Sequence, residues 1–176
     1  MKSSRERFWQ QVAMEFDKLN VALLQDDKAS LKMGEREYLS FQKKLLRQAQ
    51  TEREGQHIKR LVAHSILRFA YSAASTWTEY QRALQRVQRL GYLNLDYQSR
   101  AANSTLLWIA DNDPTQAPLG WAMMEDAERR LLRMRRGNQV RKQALAAIAS
   151  VKRRIAQKGL APPKLPRSAP KSDGKS

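Results

Sequence analysis

The sequence predicts an all-α protein: an elongated helical bundle of about six helices, with one long central helix and a disordered basic C-terminal tail. Three observations carry that expectation. All six prolines lie at or beyond Pro114, so the first 113 residues hold no obligatory helix breaker. Apolar residues recur at steps of three or four, and no segment alternates at period two. A composition 28% charged and 41% hydrophobic suits amphipathic helices better than a thick sandwich.

The first helix opens at Ser3 or Ser4, with Glu6 completing a capping box, and presents Phe8, Trp9, Val12, Phe16, Leu19 and Leu23 on one side. It ends near Gln25. A second, about Glu35 to Glu54, buries Tyr38, Phe41, Leu45 and Ala49. The third is the longest. Ile58, Val62, Ser65, Phe69, Ala73, Trp77, Tyr80, Leu84 and Val87 form one stripe over residues 56–90, which as a single helix would run ~50 Å. A fourth, about Leu95 to Ala110, carries Tyr97, Ala101, Leu107 and Trp108.

Residues 111–120, DNDPTQAPLG, read as a loop, because Asp and Asn before proline favour a turn and Pro118 suits a helix start. A fifth helix follows to about Arg136, stopped by Gly137-Asn138. A sixth spans about Gln139 to Lys158 and ends at Gly159. The chain thus divides into a helical scaffold, 1–110, the loop, a basic helical hairpin, 121–159, and a tail, 160–176. That tail has four prolines, four basic residues and only two leucines, too little apolar surface to offset its ordering entropy.

Charge is the most uneven property. Residues 129–176 hold fifteen Lys and Arg against one acid, whereas residues 1–128 hold eighteen basic and sixteen acidic side chains. A polycationic end on a nearly neutral body points to an anionic partner, and nucleic acid is the commonest because bound phosphates release counterions. The candidate contacts are Arg129, Arg130, Arg133, Arg136, Arg141, Lys142, Lys152, Arg153 and Arg154. Arg129, Arg133 and Arg136 follow one another by four and three, which places them on one face of a continuous fifth helix. A solvated face is the competing reading, with Glu125–Arg129 and Asp126–Arg130 pairs at i,i+4. Arg133, Arg135 and Arg136 have no acid so placed. On the sixth helix Val140, Ala144, Ala147, Ile148, Val151 and Ile155 make an apolar stripe flanked by cations. Two helices joined by Arg136-Gly137-Asn138 fit a helix-turn-helix and equally a helical hairpin. Arg82, Arg86 and Arg89 make a secondary patch, better explained by solubility and by the helix C-terminus.

No catalytic signature is present, and an enzyme is not expected. Cysteine is absent, which removes disulfides, thiolate zinc sites and a cysteine nucleophile. His57 and His64, seven apart, lack a third ligand, and Asp111-Asn112-Asp113 lacks the rest of a calcium loop, so neither metal nor cofactor is expected. Trp9, Phe16, Phe69 and Trp77 fall on apolar stripes and read as core, whereas Trp108 and Trp121 bracket the loop and are expected to be partly exposed. No apolar run approaches the ~18 residues of a membrane span, so integral insertion is not expected and a cytoplasmic location is.

The stretch Gln56 to Leu84, QHIKRLVAHSILRFAYSAASTWTEYQRAL, with the arginine-rich helices after it, resembles a family of small uncharacterised basic proteins of bacterial integrative and conjugative elements, some labelled integrase regulators. The resemblance covers most of residues 1–158 and implies a cytoplasmic accessory of element maintenance, replication or excision. It also favours DNA over RNA. The leading expectation is a non-enzymatic nucleic-acid-binding accessory protein. Two alternatives stand beside it: an adaptor whose helix 56–90 seams with a protein partner or second copy while the basic arm docks on an acidic protein, and a peripheral membrane-surface protein using the sixth helix.

Overall fold

The computed structural model describes residues 4–24, 27–91, 94–160 and 162, and all regular structure among them is helical. The elements are α1 (Ser4–Ala22), α2 (Lys28–Gln48), α3 (Glu52–Ala73), α4 (Trp77–Leu90), α5 (Leu95–Asn112), α6 (Ala117–Leu132) and α7 (Gln139–Gln157), with one 3-10 turn at Pro114–Gln116. Most of the expected tail lies outside the described residues.

Side-chain caps set most of the boundaries. Asp27 Oδ1 accepts from the amides of Ala29 and Ser30, so α2 starts seven residues before the expected Glu35 and runs through the buried Gly34. At α3, Thr51 Oγ1 accepts from Glu54 N while Glu54 returns a bond to Thr51 N, a complete capping box. Gly55 therefore lies inside a helix.

The stripe expected to be one helix over 56–90 is two helices. Ala74, Ser75 and Thr76 leave the helical path. Thr76 Oγ1 then accepts from Glu79 N at 3.2 Å, and Glu79 accepts from Ser75 N at 2.9 Å. These bonds satisfy amides that a continuous helix would have used internally, so the capped break competes with continuation on even terms. The apolar stripe survives the break because both halves face one core: Ile58, Val62 and Phe69 from α3, Tyr80 and Val87 from α4. Gly91, at φ 72°, closes α4 with a left-handed residue.

Two apolar clusters meet at α5. The larger gathers α1 to α4 around Tyr38, Phe69, Tyr80 and Trp108. The smaller packs Trp121, Met124, Ala127 and Leu131 of α6 and Ala144, Ile148 and Ile155 of α7 onto Ala102 and Leu106. Leu106, rather than the expected Leu107, is the fully buried leucine, which turns α5 into a wall between the two clusters. Gly120 lets α6 approach it closely, since a Cβ there would sit 2.8 Å from Leu106 Cδ1 and 3.3 Å from Leu106 Cα.

The expectation of exposed tryptophans fails. Trp108 is fully buried, 4.9 Å from the Tyr80 ring and 6.1 Å from Trp77, and Trp121 is 3% exposed. The loop is too short to hold them out: Pro114–Gln116 leads straight into α6, so both rings turn inward at the α5–α6 corner. Among the described residues, no helix is long and apolar enough to cross a membrane.

Candidate nucleic-acid interface

The basic arm is the α6–α7 hairpin, and its sequence from Arg129 to Leu160 contains no acid. Its two helices are closed by backbone chemistry at the tip. Arg133 N and Met134 N bond to the carbonyls three residues back, Arg130 and Leu131, which tightens and ends α6. Arg141, from the first turn of α7, donates Nε to the Leu131 carbonyl at 3.2 Å. Asn138 caps α7 by accepting from Arg141 N, with a φ of −69°.

α6 thus stops at Leu132, four residues short of the expected Arg136. Arg129, Arg133 and Arg136 do not share a helical face: Arg129 lies on α6, Arg133 at its C-cap, and Arg136 in the connection.

The candidate cations fall into two groups. Asp126 holds Arg130 at 2.8 Å and Arg129 at 3.8 Å, and Arg130 also reaches Gln98 on α5 at 3.1 Å. Lys152 pairs with Glu128 across the hairpin, and Arg141 is committed to carbonyls. The side chains of Arg133, Arg136, Lys142, Arg153 and Arg154 are exposed and make no ion pair or hydrogen bond among the described residues, although Arg154 acts electrostatically on Asp111. Arg135, absent from the sequence-derived set, behaves the same way. Its isolation from acids at i−3 and i−4 was the available signal.

These unpaired cations form two stations. Arg133, Arg135 and Arg136 crowd the tip, with Leu132 and Val140 beside them exposed at 56% and 41%. Lys142 and Arg153 lie three turns apart on the outward side of α7, roughly 16 Å along its axis. Ala146 and Ala149 between them are exposed, which leaves the backbone approachable.

The apolar row of α7 is Ala144, Leu145, Ile148, Val151 and Ile155, without the expected Val140 and Ala147. The helix is rotated toward the flank that carries Arg141 and Lys152, because both have partners on α6.

A network secures α7 to the body. Asp111 accepts from Tyr71 Oη at 2.6 Å and pairs with Lys158. Lys158, then Tyr71, hold the Asp111 carboxyl below its usual value, while burial and the Asp111 contact push Tyr71 up to about 12. Leu160 lies beyond α7 but accepts from Trp121 Nε1 at 3.2 Å, so the segment counted as tail begins docked.

In the secondary patch, Arg86 pairs with Glu35 of α2, which gives it a structural role, and Arg82 and Arg89 are exposed. Among the described residues, no group of three His, Asp or Glu side chains is placed to hold a metal ion. No protein-family model, no curated protein and no solved structure matches the chain.

Proposed function

We propose that this chain is a non-enzymatic nucleic-acid-binding accessory protein, acting in the cytoplasm, whose hairpin 121–159 is the phosphate-binding arm and whose residues 1–110 are scaffold. The observation that carries the reading is the set of five exposed cations, Arg133, Arg135, Arg136, Lys142 and Arg153, whose side chains lack an acidic partner among the described residues. Like charges left uncompensated at this density repel one another, and a polyanion removes that cost while releasing its counterions. Arginine predominates, which suits bidentate contact with phosphate oxygens. DNA is preferred to RNA through the resemblance to proteins of integrative and conjugative elements, which also suggests service to a mobile element. The segment 160–176 adds four basic residues to the arm.

The test is fluorescence anisotropy with a random-sequence duplex DNA, a matched RNA duplex and a poly-glutamate chain of equal charge. The reading expects DNA affinity that falls steeply with salt and exceeds affinity for poly-glutamate. Preference for poly-glutamate would identify the arm as a dock for an acidic protein.

A further inference from the structure

A second cationic feature lies away from the hairpin, in a cleft of about 480 Å³ between α3 and α5. Its floor is the apolar Leu67 and its walls are polar. His64, Arg68 and Tyr71 come from α3, Arg100 and Ser104 from α5. A volume of this size accepts a molecule as large as a nucleotide.

The charge around the cleft is positive. Arg68 and Arg100, one from each wall, are both exposed. Arg60 acts on His64 from one turn earlier, and Arg154 of α7 acts on Tyr71. The two nearby acids are occupied: Asp111 by Tyr71 and Lys158, Asp96 by Arg100. That last pair uses Arg100 Nε, at 3.2 and 3.3 Å from the two carboxylate oxygens, and leaves the four terminal N–H donors of the guanidinium for a ligand. An exposed i,i+4 pair of this kind is worth little and yields readily to a doubly charged anion.

His64 supplies the remaining feature. Its Nε2 is buried without a hydrogen-bond partner, an arrangement that costs free energy until something compensates it. Burial first, then Arg100 and Arg60, lower its pKa against the opposing pull of Asp96, which favours the neutral ring. An anion in the cleft favours the protonated ring through its charge.

We propose that the α3–α5 cleft binds a phosphate monoester, the terminal phosphate of a nucleotide, gripped between Arg68 and Arg100 with Ser104 and His64 at its edge. The site is separate from the hairpin and does not depend on the function assigned to that arm.

His57 and His64 are the only histidines in the chain, and His57 packs against Trp9 near the start of α3, outside the cleft. Ring resonances followed by NMR therefore contain both a reporter and an internal control. The probes are inorganic phosphate, adenosine 5′-monophosphate, adenosine, and a short oligonucleotide with a 5′-phosphate or a 5′-hydroxyl. The proposal predicts saturable movement of His64, with a raised pKa, for phosphate-bearing probes and none for adenosine, while His57 stays in place. Arg68→Gln and Arg100→Gln, at exposed side chains, should each weaken the response roughly tenfold or more with the His57 signals unchanged. A response to the mononucleotide identifies a free ligand; a response confined to the 5′-phosphorylated strand identifies a nucleic-acid end. If His64 ignores every phosphate probe, responds equally to adenosine, or responds undiminished in both variants, the assignment is wrong.

Discussion

Asp111 shows how single side chains hold this molecule together. It sits at the end of α5, yet it binds Tyr71 of α3 and Lys158 at the C-cap of α7, so one carboxylate links three helices. Asp111→Ala should lower stability by about 1 kcal/mol: charged hydrogen bonds are worth more, but exposure discounts them. Thermal melts check this, and loss of protection confined to the end of α7 in hydrogen exchange would mark its cause. Gly120 is the opposite case, a place where nothing fits. Gly120→Val should cost about 1–3 kcal/mol by forcing α6 away from Leu106, measured by urea unfolding. From sequence, Asp111 was legible as a turn residue, because Asp before Asn-Asp-Pro is a local signal. Its partners, 40 and 47 residues away, were not. The same limit hid Arg141, a cation whose role is set by a carbonyl ten residues earlier.

At the scale of elements, periodicity marked every helical region but merged α3 with α4 and misplaced the breaks. A stripe at steps of three and four continues across Ala74–Thr76 because α3 and α4 face one core, and periodicity alone cannot register a turn that preserves the facing. The signal that could have found it was Thr76-Trp77-Thr78-Glu79, which repeats the Thr51…Glu54 spacing of the capping box before α3. Thr76→Ala should therefore destabilise the fold by about 1 kcal/mol, detected as a lower urea midpoint with unchanged slope. No loss would mean that packing of Trp77 and Tyr80, not the cap, fixes the break. The early end of α6 has a comparable origin, since its Leu131 carbonyl accepts from Arg141 of α7 and no local residue announces it.

Across the whole molecule, acid sensitivity arises from hydrogen bonds to a few carboxylates and from burial of the two histidines, whereas charge segregation comes from the cation-rich C-terminal third. Asp27, Glu79, Asp111, His57 and His64 all have pKa values lowered by folding. A lowered folded pKa means stability is present above the unfolded value and is lost as pH falls through the folded one. The melting temperature should be level above pH ~7. It should decline gently below ~6.5 as the histidines draw protons to the unfolded chain, and steeply below ~4 with the carboxylates. A melting temperature that rises between pH 7 and 5 would refute this assignment. The charge segregation itself was fully legible in composition. Which cations are spent internally was not, because Asp126, Glu128 and the Leu131 carbonyl claim four of the nine candidates through contacts within and between helices.

On the proposed function, the location of the cations, not net charge alone, makes the hairpin the binding arm. Two variants of equal charge test it: Arg133, Arg135 and Arg136 each changed to Gln at the hairpin tip, and Arg36, Arg82 and Arg89 each changed to Gln on the exposed body. The measurement is the salt dependence of affinity for a random duplex DNA. The account predicts that the tip variant loses affinity and roughly one unit of salt slope per arginine that contacted phosphate, while the body variant stays near the parent protein. Equal losses in the two variants, or a greater loss in the body variant, would contradict it.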